Sequence, residues 1–220
     1  MFGMLQEKFG CPLNNGVDNG SRLKAEFEEQ KDAEQSQFEE EKQVEVEKTD
    51  REKLLLSLVD DEFVNFKEGS KCGFKLRSTG DMVVPLKYDY VDYFSEGLAM
   101  VELNGKRGFI DKTGKEIIPL KYDDALSFTE GLASVRFNGK YGFVDKIGRE
   151  TISFKYDFAA FFNEGLAGVI LNGKSGFVDK TGKEVIPLEY ASSYIFTEGK
   201  ARVLLNGEWF NVDKNGNRIK

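Results

Sequence analysis

Apolar and polar positions alternate with period two in four stretches of the chain, at Ala99/Val101/Leu103, Ala133/Val135/Phe137, Ala167/Val169/Leu171 and Ala201/Val203/Leu205. Each predicts a β-strand with one face turned inward, and the freely varying residues between them (Met100, Ser134, Gly168, Arg202) predict that the other face is wet. Every stretch ends in Asn-Gly, at Asn104, Asn138, Asn172 and Asn206. That pair supplies the positive φ angles of a tight type I′ hairpin turn.

A second strand follows at Lys106–Asp111, Lys140–Asp145 and Lys174–Asp179, apolar on both faces and therefore predicted to lie inside its sheet. It stops at Asp-Lys-x-Gly, a pattern that suits a type I turn closed by a left-handed glycine. The third strand places Ile118/Leu120/Tyr122 and their equivalents on one face and Pro85, Pro119 and Pro187 on the other. Proline has no N–H to donate, so this strand is expected at a sheet edge. A loop then leads to Phe94, Phe128, Phe162 and Phe196, two residues before the next Glu-Gly, and these rings are expected to plug the space between units.

The starts at Glu96, Glu130, Glu164 and Glu198 are 34 residues apart. A fixed period of that size marks a repeat architecture in which each copy buries its apolar face only against its neighbours. The expected fold is all-β: about five three-stranded antiparallel units stacked as a curved solenoid over residues 60–220, with a closed small-bladed propeller as the alternative. Closure would require Phe63–Phe66 to pair with the final copy. Phe63–Tyr88 reads as a looser first copy with an enlarged turn at Lys67-Glu68-Gly69, and the last copy reads as cut short after its second strand. Gly108, Gly142 and Gly176 share one position inside the second strand, where glycine marks a close approach by a neighbour, expected to be the next unit or its Phe plug. Phe210 occupies that position in the last copy and is expected to cap the open end of the core.

Before the repeats, residues 1–21 are dense in turn residues and predict a flexible terminus. Residues 22–59 are rich in Glu, Gln and Lys without a sustained apolar period, which predicts a helical or disordered acidic segment. Thr49-Asp50-Arg51-Glu52 has the form of a capping box opening a short helix through Val59, one that covers the exposed face of the first repeat.

Charge sharpens this division. Of the net −7, residues 24–53 hold twelve acidic and six basic side chains, so the repeats are near neutral and offer no basic field for nucleic acid. Histidine is absent, which removes histidine-based nucleophilic sites and metal ligands. Cys11 and Cys72 form no metal-binding or disulfide pattern, and no cofactor or metal is expected. The Asp-Lys-x-Gly turns and Lys-Tyr-Asp triples bring carboxylates near lysines, but they recur in the repeats, whereas a catalytic site is normally built once. Lysine also stands where a calcium loop needs oxygen ligands. No stretch has the apolar core of a leader or the length of a membrane span. The expectation is a soluble, cytoplasmic chain that is not an enzyme.

The string Phe-x-Glu-Gly-Leu-Ala-x-Val-x-x-Asn-Gly-Lys-x-Gly-Phe-Val/Ile-Asp-Lys-Thr-Gly-Lys-Glu-Val/Ile-Ile-Pro-Leu-Lys-Tyr-Asp resembles the bacterial WG-repeat family over residues 63–220. The resemblance implies a β-rich repeat that mediates protein contacts, and hence a scaffolding or interaction role with an unidentified protein partner. The residue before Gly-Phe, which names that family, is Arg107, Tyr141 and Ser175 here, and Trp209 stands at the corresponding place in the final copy. These four form the candidate interaction surface. Gly207–Gly216 also resembles one hairpin of a cell-wall glycan- or choline-binding module, although such modules carry tryptophan in every copy and this chain has one.

Overall fold

A computed structural model describes residues 19–219; of the stretch read as a flexible terminus, 1–21, residues 1–18 lie outside them and residues 19–21 begin a helix. Contacts divide the chain into two compact units, Met1–Arg51 and Glu52–Lys220. The first is occupied by helix α1, which spans Asn19–Ser57 and so reaches into the second. Its Glu, Gln, Lys and Ala content favours helix, and its lack of an apolar stripe leaves it polar all round. The helix runs unbroken through Thr49, whose hydroxyl donates to Glu45 O at 2.8 Å. The expected capping box is therefore an interior i−4 bond rather than a helix start. In the last turns, Leu55 is buried with Phe63, Phe74 and Phe94, and Leu58 packs against the same cluster. Among the described residues, no helix is long and apolar enough to cross a membrane.

The repeats form five antiparallel sheets. The first contains β1 (Phe63–Glu68), β2 (Lys71–Leu76) and β3 (Met82–Tyr88); the second β4 (Tyr90–Ser95), β5 (Leu98–Leu103), β6 (Lys106–Asp111) and β7 (Glu116–Tyr122). The third contains β8 (Asp124–Ala125), β9 (Leu132–Phe137), β10 (Lys140–Asp145) and β11 (Glu150–Tyr156); the fourth β12 (Phe158–Ala159), β13 (Leu166–Leu171), β14 (Lys174–Asp179) and β15 (Glu184–Tyr190). The fifth contains β16 (Ser192–Ser193), β17 (Lys200–Leu205), β18 (Glu208–Asp213) and β19 (Arg218–Ile219). Strands follow sequence order within every sheet, which puts the proline-bearing β3, β7 and β15 at edges as their missing N–H requires. β1 pairs only with β2, so the stack is open, a repeat solenoid.

Two details of the unit differ from the sequence reading. The segment expected as a loop before each Phe plug supplies a fourth strand, β4, β8, β12 or β16, paired to the unit that follows. It is as short as two residues and has no alternation to reveal it. The extra residue of the first copy lies in its second turn, between Leu76 and Met82, because Glu68 pairs directly with Lys71 across a two-residue turn. The final copy does reach a third strand, the two-residue β19.

Both faces of the inner sheets are buried. Ala99, Val101 and Ile110 pack with Phe74 and Val84 of the first unit, whereas Leu98, Met100, Phe109 and Ile118 pack with Ala133, Val135 and Val144 of the third. The expected wet face is thus a second stacking face, and Met100 and Ser134 are buried. The Phe plugs behave as predicted: Phe128, Phe162 and Phe196 each lie 4.8 Å, centroid to centroid, from the middle-strand Phe109, Phe143 and Phe177 of the preceding unit. At the end of the stack the outward positions become polar. Lys200 replaces the buried Leu98, Leu132 and Leu166; Arg202 is exposed where Met100 was buried; and Asn211 replaces the phenylalanine. These residues cap the core, as terminal repeats require. Phe210 instead pairs with Val203, which belongs to the core shared with the preceding unit, so it is not the cap.

The strand glycine is explained by its own sheet. A Cβ on Gly142 would stand 2.6 Å from Ile152 O, and one on Gly108 2.5 Å from Ile118 O. In each case the third strand crosses over the glycine at a register shift. The intruding backbone belongs to the same unit, not to the next one. At Phe210 there is room because the pairing of β18 with β19 runs only over Asn211 and Val212. Gly142→Ala is therefore expected to destabilise the fold by about 1–3 kcal/mol, because carbonyl backbone cannot yield as a side chain does. Phe210→Ala is expected to loosen only the last unit. Urea unfolding of both variants, with hydrogen exchange resolved by unit, tests this.

Candidate functional site

Each of the last four units holds two tight turns with non-glycine residues at positive φ. One is the Asn-Gly turn read from the sequence. The other is Glu-Gly, with φ near 53° at Glu96, 51° at Glu130, 53° at Glu164 and 55° at Glu198. A side chain in this left-handed region costs roughly 1 kcal/mol, so glutamate there calls for a reason. Its carboxylate supplies one. Glu96 accepts the Gly131 N–H at 3.0 Å and pairs with Lys146 at 3.1 Å, both in the next unit. Glu130 does the same with Gly165 and Lys180, and Glu164 with Gly199 and Lys214. Asp60 takes this part for the second unit, accepting the Gly97 N–H at 3.1 Å and pairing with the buried Lys112 at 3.0 Å.

A second carboxylate bridges the units on another edge. Asp89 pairs with Lys71 of the unit before it and accepts the Asn104 N–H of the unit after it, at 2.6 and 2.7 Å. Asp123 joins Lys106 to the Gly139 N–H, and Asp157 joins Lys140 to the Asn172 N–H. Position 191, next in the series, is alanine. The carboxylates of the Lys-Tyr-Asp triples do meet lysines, but those of neighbouring turns (Lys71, Lys106 and Lys140) and not the triples' own Lys87, Lys121 and Lys155, which lie against the adjacent tyrosine rings. The period-34 glutamate was visible, yet only its geometry reveals its role. Burial pushes the Glu130 carboxyl up, but Lys180 and the amides of Gly165 and Glu164 outweigh that and hold it below the ordinary range. Lys214 foremost, and then the Gly199 amide, hold Glu164 down in the same way. Asp111, Asp145, Asp179 and Asp213 are occupied otherwise: each turns Oδ1 back to amides two and four residues ahead, closing its own turn.

Arg107, Tyr141 and Ser175 sit at the seams between sheets, beside the leading segment of the next unit, whereas Trp209 lies in the last sheet beside the leading segment of its own unit. Arg107 donates Nε to Glu102 at 2.9 Å, forms an ion pair with Asp124, and reaches Ala125 O at 3.3 Å. Tyr141 donates its hydroxyl to the other oxygen of Asp124 at 2.5 Å, and its ring meets Phe158 edge-on at 5.5 Å. Burial first, and Asp124 second, push this phenol up to about 12. Ser175 is buried and shares a hydrogen bond with Ser193. Trp209 is half-buried against Tyr194 at 5.4 Å, with the Arg202 guanidinium 5.3 Å from its ring. Asp124 thus brings Arg107 and Tyr141 together; Ser175 belongs to the next seam and Trp209 to the last sheet. Beside them the leading segments expose Tyr90, Tyr93, Phe158, Phe161, Tyr194 and Ile195, with Tyr93 at 70% and Tyr194 at 60%. Tyr90 and Phe158 share one position of the 34-residue period, and Tyr93, Phe161 and Ile195 share another, with Tyr194 beside Ile195; all fall in the stretch read from sequence as a connecting loop.

A family model described as "WG containing repeat" matches four tandem stretches, residues 77–106, 108–141, 141–174 and 176–209. No curated protein sequence matches the chain. Among solved structures, similarity is found to a eukaryotic initiation factor, at 10% identity and a TM-score of 0.51, covering 71% of this chain and 50% of that one. Hsv2 of Kluyveromyces lactis is similar at 9% identity and a TM-score of 0.46, covering 73% and 60%. A Bacteroides caccae protein described as of unknown function follows at 14% identity and a TM-score of 0.33, covering 72% and 70%. The chain thus spans between half and six-tenths of the length of the first two, and the likeness concerns the fold alone.

Because the folded Glu130 carboxyl lies below its ordinary value, its contribution stands above the ordinary carboxylate range and is lost as pH falls through the lowered value. Glu130→Ala is expected to cost about 1–2 kcal/mol in urea at pH 7, with Glu130→Gln costing less, and the difference between Glu and Gln closing below pH ~4. Tyr141 has the opposite sense at alkaline pH. An unfolded tyrosine loses its proton near pH ~10 while the folded one holds it to about 12, so stability falls over that window. Tyr141→Phe should flatten that decline.

Proposed function

The chain belongs to the WG containing repeat family, and from that premise we propose that it is a non-catalytic, bacterial, cytoplasmic repeat protein whose stacked sheets present a protein-interaction surface. The observation that carries this reading is the row of exposed apolar side chains on the leading segments. Tyr93, Phe161 and Ile195 stand at one matching place on three units and Tyr90 and Phe158 at another on two of them, with Tyr194 adding a third exposed ring on the fifth unit. The unit between them substitutes Asp124 and Ser127. Aromatic side chains offer large contact area at low entropic cost, and neighbouring exposed apolar groups mark contact sites on folded proteins. Tyr141 and Trp209 support this reading, since their rings back Phe158 and Tyr194 of the row.

The carboxylates near lysines are committed to holding turns and neighbouring repeats, which supports structural rather than catalytic work for them. The near-neutral repeats also lack the basic field that a nucleic acid partner would need. Tyr93→Ala with Tyr194→Ala in the full chain is expected to leave the melting temperature within a few degrees while removing most of the specific protein captured by the wild-type chain. Unchanged capture, or turnover of a hydrolase substrate that depends on one carboxylate, would refute the proposal.

A further inference from the structure

The seam between the fourth and fifth units lacks what closes the others. At the three preceding seams an aspartate bridges a lysine and a turn amide, and the residue after it is Tyr90, Asp124 or Phe158. Asp124 meets Arg107, and Phe158 meets the Tyr141 ring. At the last seam the same two positions are Ala191 and Ser192, and opposite them stand Ser175 in place of Arg107 or Tyr141, and Gly168 in place of Met100 or Ser134. Four reductions in size fall on one seam.

They leave a cleft of about 100 Å³ lined by Gly168, Ser175, Ala191, Ser192 and Ser193, with the exposed Phe158, Tyr194 and Ile195 around it. For scale, an engineered apolar cavity that admits a whole benzene measures about 150 Å³. The polar half of the bridge is left open as well. Among the described residues, Lys174 has no carboxylate partner, and no carboxylate reaches the Asn206 N–H, the two groups that correspond to Lys140 and Asn172 around Asp157. No acidic side chain lines the cleft.

We propose that this seam is a recognition site for a partner-protein segment carrying Asp or Glu followed by an aromatic residue. The carboxylate takes Lys174 and the Asn206 amide, as Asp157 takes Lys140 and Asn172, and the ring enters between Phe158 and Tyr194. The chain's own Asp157-Phe158 shows the occupant chemistry one repeat earlier. This site rests on the interaction-surface reading and narrows it to one place and one kind of ligand.

The probe is the blocked peptide acetyl-Lys-Tyr-Asp-Phe-Ala-amide, the sequence of residues 155–159, titrated into the full chain and followed by calorimetry and amide chemical shifts. Saturable binding is expected, at least tenfold weaker when Asn replaces the peptide Asp or Ala replaces its Phe. Rebuilding the seam with Ala191→Asp and Ser192→Phe is expected to raise the melting temperature and weaken the peptide at least tenfold. Lys174→Gln, an exposed change that leaves the core alone, should weaken the acidic peptide and not its Asn version. No saturation at millimolar peptide, equal binding by both variants, or self-association of the chain that the rebuilt seam abolishes would each overturn the proposal. If the peptide is ignored while Tyr93→Ala with Tyr194→Ala still reduces partner capture, this site falls and the broader interaction surface stands.

Discussion

A glutamate held in the left-handed region by its own tight turn is the constraint on which the stack depends. The conformation costs roughly 1 kcal/mol relative to glycine, yet it recurs at Glu96, Glu130 and Glu164, each bonded to the unit ahead, and at Glu198 of the last unit. A charge-assisted hydrogen bond typically contributes roughly 1.5–3 kcal/mol, less where solvent screens it, so one bond to the next unit's glycine amide can offset the strain. The lysine from the Asp-Lys-x-Gly turn then fixes the direction: unit n always reaches forward to unit n+1. Two short turns at the same end of the next sheet are tied to one carboxylate. Hydrophobic stacking alone would allow one sheet to slide on another; this contact sets the offset.

Given that offset, the core follows. Each inner sheet is buried on both faces, one shared with the unit before and one with the unit after, and each Phe plug fills the junction from the preceding side. The outward polar series Lys200, Arg202 and Asn211 ends the stack, because an apolar face there would remain in water. Such an arrangement couples nearest neighbours strongly and distant units hardly at all. It also lets individual seams diverge, as the Arg107–Asp124, Tyr141–Phe158 and Ser175–Ser193 seams do, without disturbing the rest.

Much of this was legible in the residues. The alternation, the Asn-Gly turns, the Asp-Lys-x-Gly turns, the edge prolines and the Phe plugs all read correctly because each is a local rule repeated every 34 residues. What failed was anything decided between strands. The leading strands carry two-residue pairing with no pattern of their own, so they read as loop. Met100 and Ser134 read as wet because variation at a position resembles exposure, whereas here each seam is packed differently. Gly142 was traced to a neighbour, correctly, but the neighbour is its own third strand at a register shift that no spacing displays. Phe210 was read as a cap because it breaks the glycine rule, while the residues that do cap the stack, Arg202 and Asn211, break the apolar rule one strand position away. At the candidate site, sequence located the seam positions but not the exposed row beside them.

The central claim is that a carboxylate in one repeat holds a turn amide in the next, and in that direction only. Hydrogen exchange at the Gly131 and Gly165 amides, measured in the wild-type chain and in Glu130→Ala, addresses it directly. Both amides sit in short, half-buried hairpin turns where neither is bonded within its own turn ladder. The account predicts that both are protected in the wild type, and that removing Glu130 releases Gly165 while leaving Gly131, held by Glu96, as slow as before. Rapid exchange at Gly165 in the wild type, or protection there that survives loss of Glu130, would contradict it.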